Sequence, residues 1–454
     1  MHRGLRLLRV ASIVIGALMV PSVASAHLAL RRSDPDSNAR LARAPAAITL
    51  WFTLRPQLGF SRMTLTGPSG PVALAPLTSD TGNVIRAALP ALGAGAYTVR
   101  WQTASADGHP IRGEFRFTIA GADSVSATAP PPAVPAPAHV HEPSNEAHST
   151  HEGYRSVRWI EFAALIAILG VIGFHHLVLP ALAPRGVSTT EAFDRARRVG
   201  QMALGPYLLA AAVRLYAEWD AMGDMAGAAD PAQMRFIVFD TVWGAGWLAG
   251  VVGALLVLAG WRLARSKRIG STTLAALGGL AMAVSPALSG HAAAASPVLL
   301  NVTLDASHVL TAGFWVGGLF ILVVAGLPAM LKGTNGRGHA GIAAMVNSFH
   351  PVALVCAPFV LLSGAGSAWL RLGDPSNILG SRYGQVLLIK VLIVLCVAAL
   401  GFHNSARARR RLGTAEATRV FRVTGWAEVV IAAIVLAVTT VLIVTPLPGQ
   451  PWSP

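Results

Sequence analysis

The sequence predicts a multidomain protein: an N-terminal all-β domain followed by an all-α polytopic membrane bundle of eight transmembrane helices. Three observations lead there. Only 13% of the 454 residues are Asp, Glu, Lys or Arg, while 53% belong to the AVILMFWYC set, and the charged share is about half that of a typical soluble protein. Apolar residues alternate in short segments before residue 120 and form long unbroken runs after residue 156. A stretch rich in Pro and His separates the two regions. This composition excludes an ordinary soluble enzyme for most of the chain. It also excludes disorder, which goes with few apolar residues.

Arg3, Arg6 and Arg9 precede an apolar stretch from Val10 to Val20, and Pro21 and Ala24-Ser25-Ala26 follow. A charged start, a short apolar core and a small-residue cleavage site predict a secretory signal peptide over residues 1–26. The run is too short to cross a bilayer comfortably. Cleavage after Ala26 makes His27 the first residue of the mature chain, where its α-amine and imidazole can chelate one metal ion.

Residues 27–120 read as all-β. Ile48–Leu54, Arg62–Leu65, Tyr97–Trp101 and Glu114–Ile119 have strand composition, the last two alternating apolar and polar residues as half-buried strands do. Turns at Gly67–Pro71 and Gly93–Gly95 complete the pattern of a small antiparallel sandwich or Greek-key barrel. Between the last two strands lies Ser105-Ala106-Asp107-Gly108-His109-Pro110. A lone Asp-Gly-His is more often only a turn. Combined with His27, it offers an amine, two imidazoles and a carboxylate, a mixed nitrogen and oxygen donor set that suits Cu(II).

The His-Leu-Ala-Leu start, the strand Tyr97–Trp101 and the segment Ser105–Gly113 resemble the periplasmic copper-binding CopC proteins. The resemblance implies a cupredoxin-like, Ig-like β-barrel that holds Cu(II) through His27, Asp107 and His109. CopC proteins with an additional Cu(I) site carry a Met- and His-rich loop. Here the stretch from Met63 to Leu77 has one Met and no His, so the expectation is one Cu(II) site and no Cu(I) site.

Residues 121–155 form a linker. Pro130, Pro131, Pro132, Pro135 and Pro137 make an extended, semi-rigid spacer. His139, His141, His148 and His151 follow among Glu142, Glu146 and Glu152. They are candidate copper contacts, weighed at even terms against a plain solvated linker.

The membrane domain is expected over 156–446, with a periplasmic tail at 447–454. Apolar stretches near 157–182, 200–219, 237–261, 271–291, 298–330, 344–370, 384–403 and 424–446 are each long enough to span. The loops after spans one, three, five and seven hold 16 Arg and Lys residues, against Arg235, Arg371 and Arg382 on the other side. By the positive-inside rule the N-terminal domain and the C-terminus both lie in the periplasm of a bacterial inner-membrane protein. The net charge of +15 therefore reports topology and not nucleic-acid binding. Cys356 and Cys396 both sit in apolar runs, which argues against a disulfide framework.

Polar residues inside spans are functional candidates. Glu161, Arg214, Glu218, Asp240 and His291 fall on the outer half, and His350, Lys390 and Glu428 fall deeper. Asp305 and His308 are three apart, so they share a helix face. His291, Asp305, His308 and His350 make up a candidate transport path. Ser289-Gly290-His291, His308 with Gly313–Leu319, Tyr383-Gly384 with Lys390, and Glu428 with Pro446 resemble the CopD copper-resistance membrane proteins. The two resemblances together imply a CopC–CopD fusion. Its expected function is periplasmic Cu(II) capture coupled to copper transport toward the cytoplasm, with copper ion, the lipid bilayer and periplasmic copper proteins as partners.

A second reading, from a different class, is a membrane electron-transfer protein in which His308 with His291 or His350 ligates haem and reduces captured Cu(II). Met202, Met282, Met345, Cys356 and Cys396 are the soft donors that Cu(I) would prefer, and their plain reading is membrane packing. No Walker A or phosphorylatable Asp-Lys-Thr-Gly-Thr pattern is present, which disfavours a pump.

Adding one residue ahead of His27 should remove the terminal amine from the chelate and weaken Cu(II) binding by about tenfold or more. The amine must lose its proton, with a pKa of about 8, so affinity should also fall as pH drops. Competition titration against a chromophoric chelator measures both, and unchanged affinity in the extended form removes His27 from the ligand set.

Overall fold

A computed structural model describes residues 30–120, 142–143 and 152–448, apart from 54, 80–81, 105–109, 186, 227–230, 266–269, 295–296, 333–337, 408–412 and 446. The expected signal peptide, His27, Asp107, His109 and the four linker histidines all lie outside the described residues.

Two sheets face each other in the first domain. One has the order β1 (Leu30–Asp34), β3 (Ala47–Phe52), β6 (Val84–Ala88), and the other has β2 (Ala39–Leu41), β8 (Pro110–Ile119), β7 (Gly95–Ala104), β4 (Arg62–Gly67), β5 (Gly70–Val72). Alternate residues turn inward, as the sequence period requires. Ile48, Leu50 and Phe52 from one sheet meet Leu65, Val99, Trp101, Phe115 and Phe117 from the other. Gly113 lies opposite Trp101 in the β7–β8 ladder, and a Cβ there would come within 2.6 Å of the indole. The tryptophan thus accounts for a glycine in mid-strand. The pairing is not wholly antiparallel, because β2 runs parallel to β8. The turn after β1, with Asn38 at φ 61°, moves the chain from the first sheet to the second. A short linker strand, β9 (Glu142–Pro143), pairs with Ile111 and Arg112 at the start of β8.

The second domain is helical: α1 (Glu152–Gly173), α2 (Thr190–Ala226), α3 (Pro231–Phe239), α4 (Val242–Arg265), α5 (Ser271–Leu288), α6 (His291–Ala294), α7 (Val298–Ala312), α8 (Gly318–Ile321), α9 (Leu327–Lys332), α10 (Gly338–Leu372), α11 (Asn377–Gly380), α12 (Arg382–Arg407) and α13 (Ala415–Val444). Wider π turns at Gly313–Gly317 and Leu322–Gly326 join α7, α8 and α9 into one continuous rod. Among the described residues seven helices are long and apolar enough to cross a membrane, against eight expected. The expected span at 200–219 does form helix, within α2, but Gln201, Pro206 and Arg214 hold it below the apolarity of the other seven.

Small residues let helices touch backbone to backbone. A Cβ on Gly170 of α1 would meet the Gly317 carbonyl carbon at 2.3 Å, and one on Gly313 would meet Leu169 at 2.5 Å. Lipid tails are as apolar as leucine, so close packing of this kind is what holds such helices together. The two domains also meet. Phe60 stacks on Phe236 of α3 with ring centroids 3.8 Å apart, and Ala104, the last residue of β7, is buried with Ile237 and Trp243.

Candidate copper site and the charged interior of the bundle

Asp107 and His109 belong to the five-residue connection between β7 and β8, whose last ladder pair is Ala104 with Pro110. His27 precedes Leu30, the first residue of β1, by three positions. Leu30 pairs with Phe52, and the Phe52 ring meets Trp101 at 5.4 Å, three residues before Ala104. The chain ends leading to all three candidate ligands therefore share one end of the sandwich. Three residues reach at most about 10 Å. Among the described residues no three His, Cys, Asp or Glu side chains come together as a metal site.

In the membrane domain Glu161 of α1 is 2% exposed and accepts from two arginines, Arg158 Nη1 at 2.6 Å and Arg214 Nη1 at 2.7 Å. Arg214 also donates to Ser289 Oγ at 3.0 Å, and that hydroxyl donates to the Ser285 carbonyl. The cluster ties α1, α2 and the end of α5 together. The Arg214 guanidinium sits 5.5 Å from the Trp243 ring. The indole in turn belongs to the cluster that receives Ala104 of the β domain.

Asp305 and His308 share a face of α7, yet they hydrogen-bond to different partners on α10. Asp305 accepts from Ser367 Oγ at 2.8 Å and from Arg371, which also bonds Tyr383. His308 Nδ1 lies 3.1 Å from Ser363 Oγ. His308 is ten residues into α7, about 15 Å below its start and so near the middle of a bilayer of about 30 Å. His350 is thirteen residues before Ser363 on the same helix, about 20 Å away along it, and the structure does not bring it to His308. His291 begins α6, and its side chain lies outside the described residues. Met282, Met345 and Cys356 pack in the bundle core, while Met202 and Cys396 are exposed.

A cavity of about 230 Å³ opens between α1, α5, α7, α10, α12 and α13, and its lining includes the ionisable residues Arg158, Asp305, His308, Arg371, Tyr383 and Lys390. Sequence reasoning did not single out Arg158, and it counted Arg371 as a loop cation. The available signals were Glu161 for Arg158 and Asp305 for Arg371, intramembrane carboxylates that each need a cation within reach.

The CopC domain family matches residues 30–120, the family described as copper resistance protein D-like, N-terminal domain, matches 149–299, and the copper resistance protein D family matches 343–442. The protein YobA of Escherichia coli (strain K12) is 36% identical over 112 residues, 24% of this chain and 90% of that protein. The chain belongs to the CopC–CopD copper-resistance fusion family. The chain is also similar to the copper transport protein CutJ of Bacillus subtilis (strain 168), 24% identical over 92% of this chain and 75% of that protein. A crystal structure of PcoC, a methionine rich copper resistance protein from Escherichia coli, aligns with 21% of this chain and all of that one, at 31% identity and a TM-score of 0.20. The fusion joins a CopC β-sheet domain to a multi-pass helical CopD domain.

The CopD ion cluster makes an asymmetric prediction. Glu161→Ala leaves two buried arginines without their counter-charge and should cost about 3–5 kcal/mol. Arg214→Met keeps the Arg158–Glu161 pair and should cost clearly less. Thermal unfolding of the two purified variants compares them, and equal losses would mean that Glu161 is not the hub.

Proposed function

We propose that the CopC domain captures Cu(II) through His27, Asp107 and His109 and that the CopD bundle carries copper across the inner membrane toward the cytoplasm. The observation that carries this reading is the docking geometry. The end of the β sandwich that leads to all three ligand candidates is the end that packs on α3 and α4. Captured copper is therefore released at the mouth of the bundle. The name of CutJ, a copper transport protein alike in both domains, points the same way.

In this reading residues 1–26 are removed and 27–120 capture the ion. The linker at 121–155 supplies His139, His141, His148 and His151 as passing contacts, since β9 holds it against β8 beside the ligand loop. The bundle at 156–446 transports, and 447–454 form a short outer tail. Entry runs from His291 to His308, with His350 a later step. Near mid-membrane, the His308 imidazole lines the cavity.

We count α2 as the eighth span. Met202, Leu209, Val213 and Tyr216 are exposed along one stripe of it, a lipid-facing pattern, while its costly charge, Arg214, is neutralised inward by Glu161. Eight crossings return the C-terminus to the side of the β domain.

Radiocopper uptake into vesicles tests the path. His291→Ala and His308→Ala should each abolish accumulation while leaving protein level and Cu(II) capture intact, and normal accumulation in both variants rejects this route. Topology has its own test. A reporter active only in the cytoplasm, fused after Pro454, should be silent, and activity would reduce the spans to seven.

A further inference from the structure

The CopD cavity carries an excess of positive charge. Arg158, Arg371 and Lys390 face it with Asp305 as the one carboxylate in its lining. Asp305 is taken by Arg371, and Glu161 is divided between Arg158 and Arg214. Among the described residues Lys390 makes no ion pair, and it lies within electrostatic reach of both Asp305 and Arg371. Arg158 is 4% exposed, and its Nε, like that of Arg371, has no hydrogen-bond partner. Uncompensated buried charge is expensive unless something answers it.

Thr439 and Thr445 add neutral hydroxyls, and an apolar lining extends deeper, with Ile166, Val316, Val394, Val397 and Leu436 beyond the charged groups. At about 230 Å³ the space falls somewhat below the usual range for small-molecule sites, about 300–1,000 Å³. It has room for one slender chain and a head group. Cations at one end and hydrocarbon at the other define the ligand.

We propose that this cavity binds a single-chain amphiphile with an anionic head group, the head beside Lys390, Arg371 and Arg158 and the chain among the valines of α12 and the residues facing them. The head is a carboxylate or a phosphate, from a free fatty acid or a single-chain lipid of the surrounding bilayer. Once bound, its charge also offsets the repulsion that a copper ion meets at His308. That consequence rests on the copper path proposed above, whereas the binding itself does not.

Trp315 lines the cavity, which provides a readout that needs no copper. The full chain is placed in nanodiscs and titrated with 11-bromoundecanoate, with a bromoalkyl phosphate of equal length, and with the matching trimethylammonium compound. The signal is the fluorescence quenching lost in Trp315→Phe. We expect saturable quenching by the carboxylate or the phosphate, with the tighter of the two naming the head group, and none by the cation. Lys390→Gln should weaken binding at least tenfold, and Val394→Phe, which fills the chain end, should abolish it while the protein remains folded. Absence of saturation, equal binding of the cationic probe, or full binding in both variants overturns the proposal. Since copper is absent throughout, failure here leaves the uptake experiment to judge the transport reading separately.

Discussion

A charge inside a bundle of membrane thickness must be answered by another protein group, because hydrocarbon cannot answer it. Glu161 meets that constraint for two arginines on two helices. Its carboxylate fixes Arg158 on its own helix and Arg214 across on α2. Arg214 in turn holds the end of α5 through Ser289. Three helices are thereby set in register at the end of the bundle that receives the β domain. The same cluster reaches two further features. On one side Arg214 lies against Trp243, part of the docking patch. On the other side Arg158 forms part of the cavity wall. Domain docking and the membrane cavity thus adjoin one buried ion cluster.

The parts of this arrangement that were legible in the sequence are those set by local pattern. Period-two alternation marked β7 and β8, and long apolar runs marked the seven spans, because both signals depend only on neighbours along the chain. Glu161, Arg214, Asp305 and His308 were visible as polar residues that hydrocarbon would not tolerate. Their partners were less legible. A cation near the end of a span reads as interfacial, and only the packing of α10 against α7 turns Arg371 inward to Asp305. Arg158 was hidden in the same way, at the start of α1. The parallel β2–β8 pairing was illegible because a three-residue strand carries too little pattern to announce its partner. Residues 200–219 are an intermediate case: an apolar majority marks them as a span, and their polar minority makes contacts that the sequence does not display, Arg214 on Glu161 among them.

Glycine positions carried more meaning than composition suggested. The Gly313–Gly317 turn lies just below His308 on the same rod, and its glycines allow α1 to approach within backbone contact. Widened turns of this kind often occur at functional sites. Here the two π turns follow the polar segment that carries Asp305 and His308, so the rod changes character from charged above to apolar and tightly packed below.

His308 shows how finely that upper segment is fitted. Ser363 presents its hydroxyl to the imidazole, and the next residue, Gly364, leaves the ring its space, since a Cβ there would stand 3.2 Å from Cε1. One and two turns farther along α10, Ser367 and Arg371 engage Asp305. A single face of α10 thus holds both polar residues of α7, but through different chemistry. The acid is neutralised by a full positive charge and the histidine is steadied by a neutral hydroxyl. The carboxylate is therefore already satisfied, while the imidazole is positioned without a counter-ion. Of the two, the histidine is the group still electrically available to a ligand, and the cations around it favour a ligand that brings negative charge.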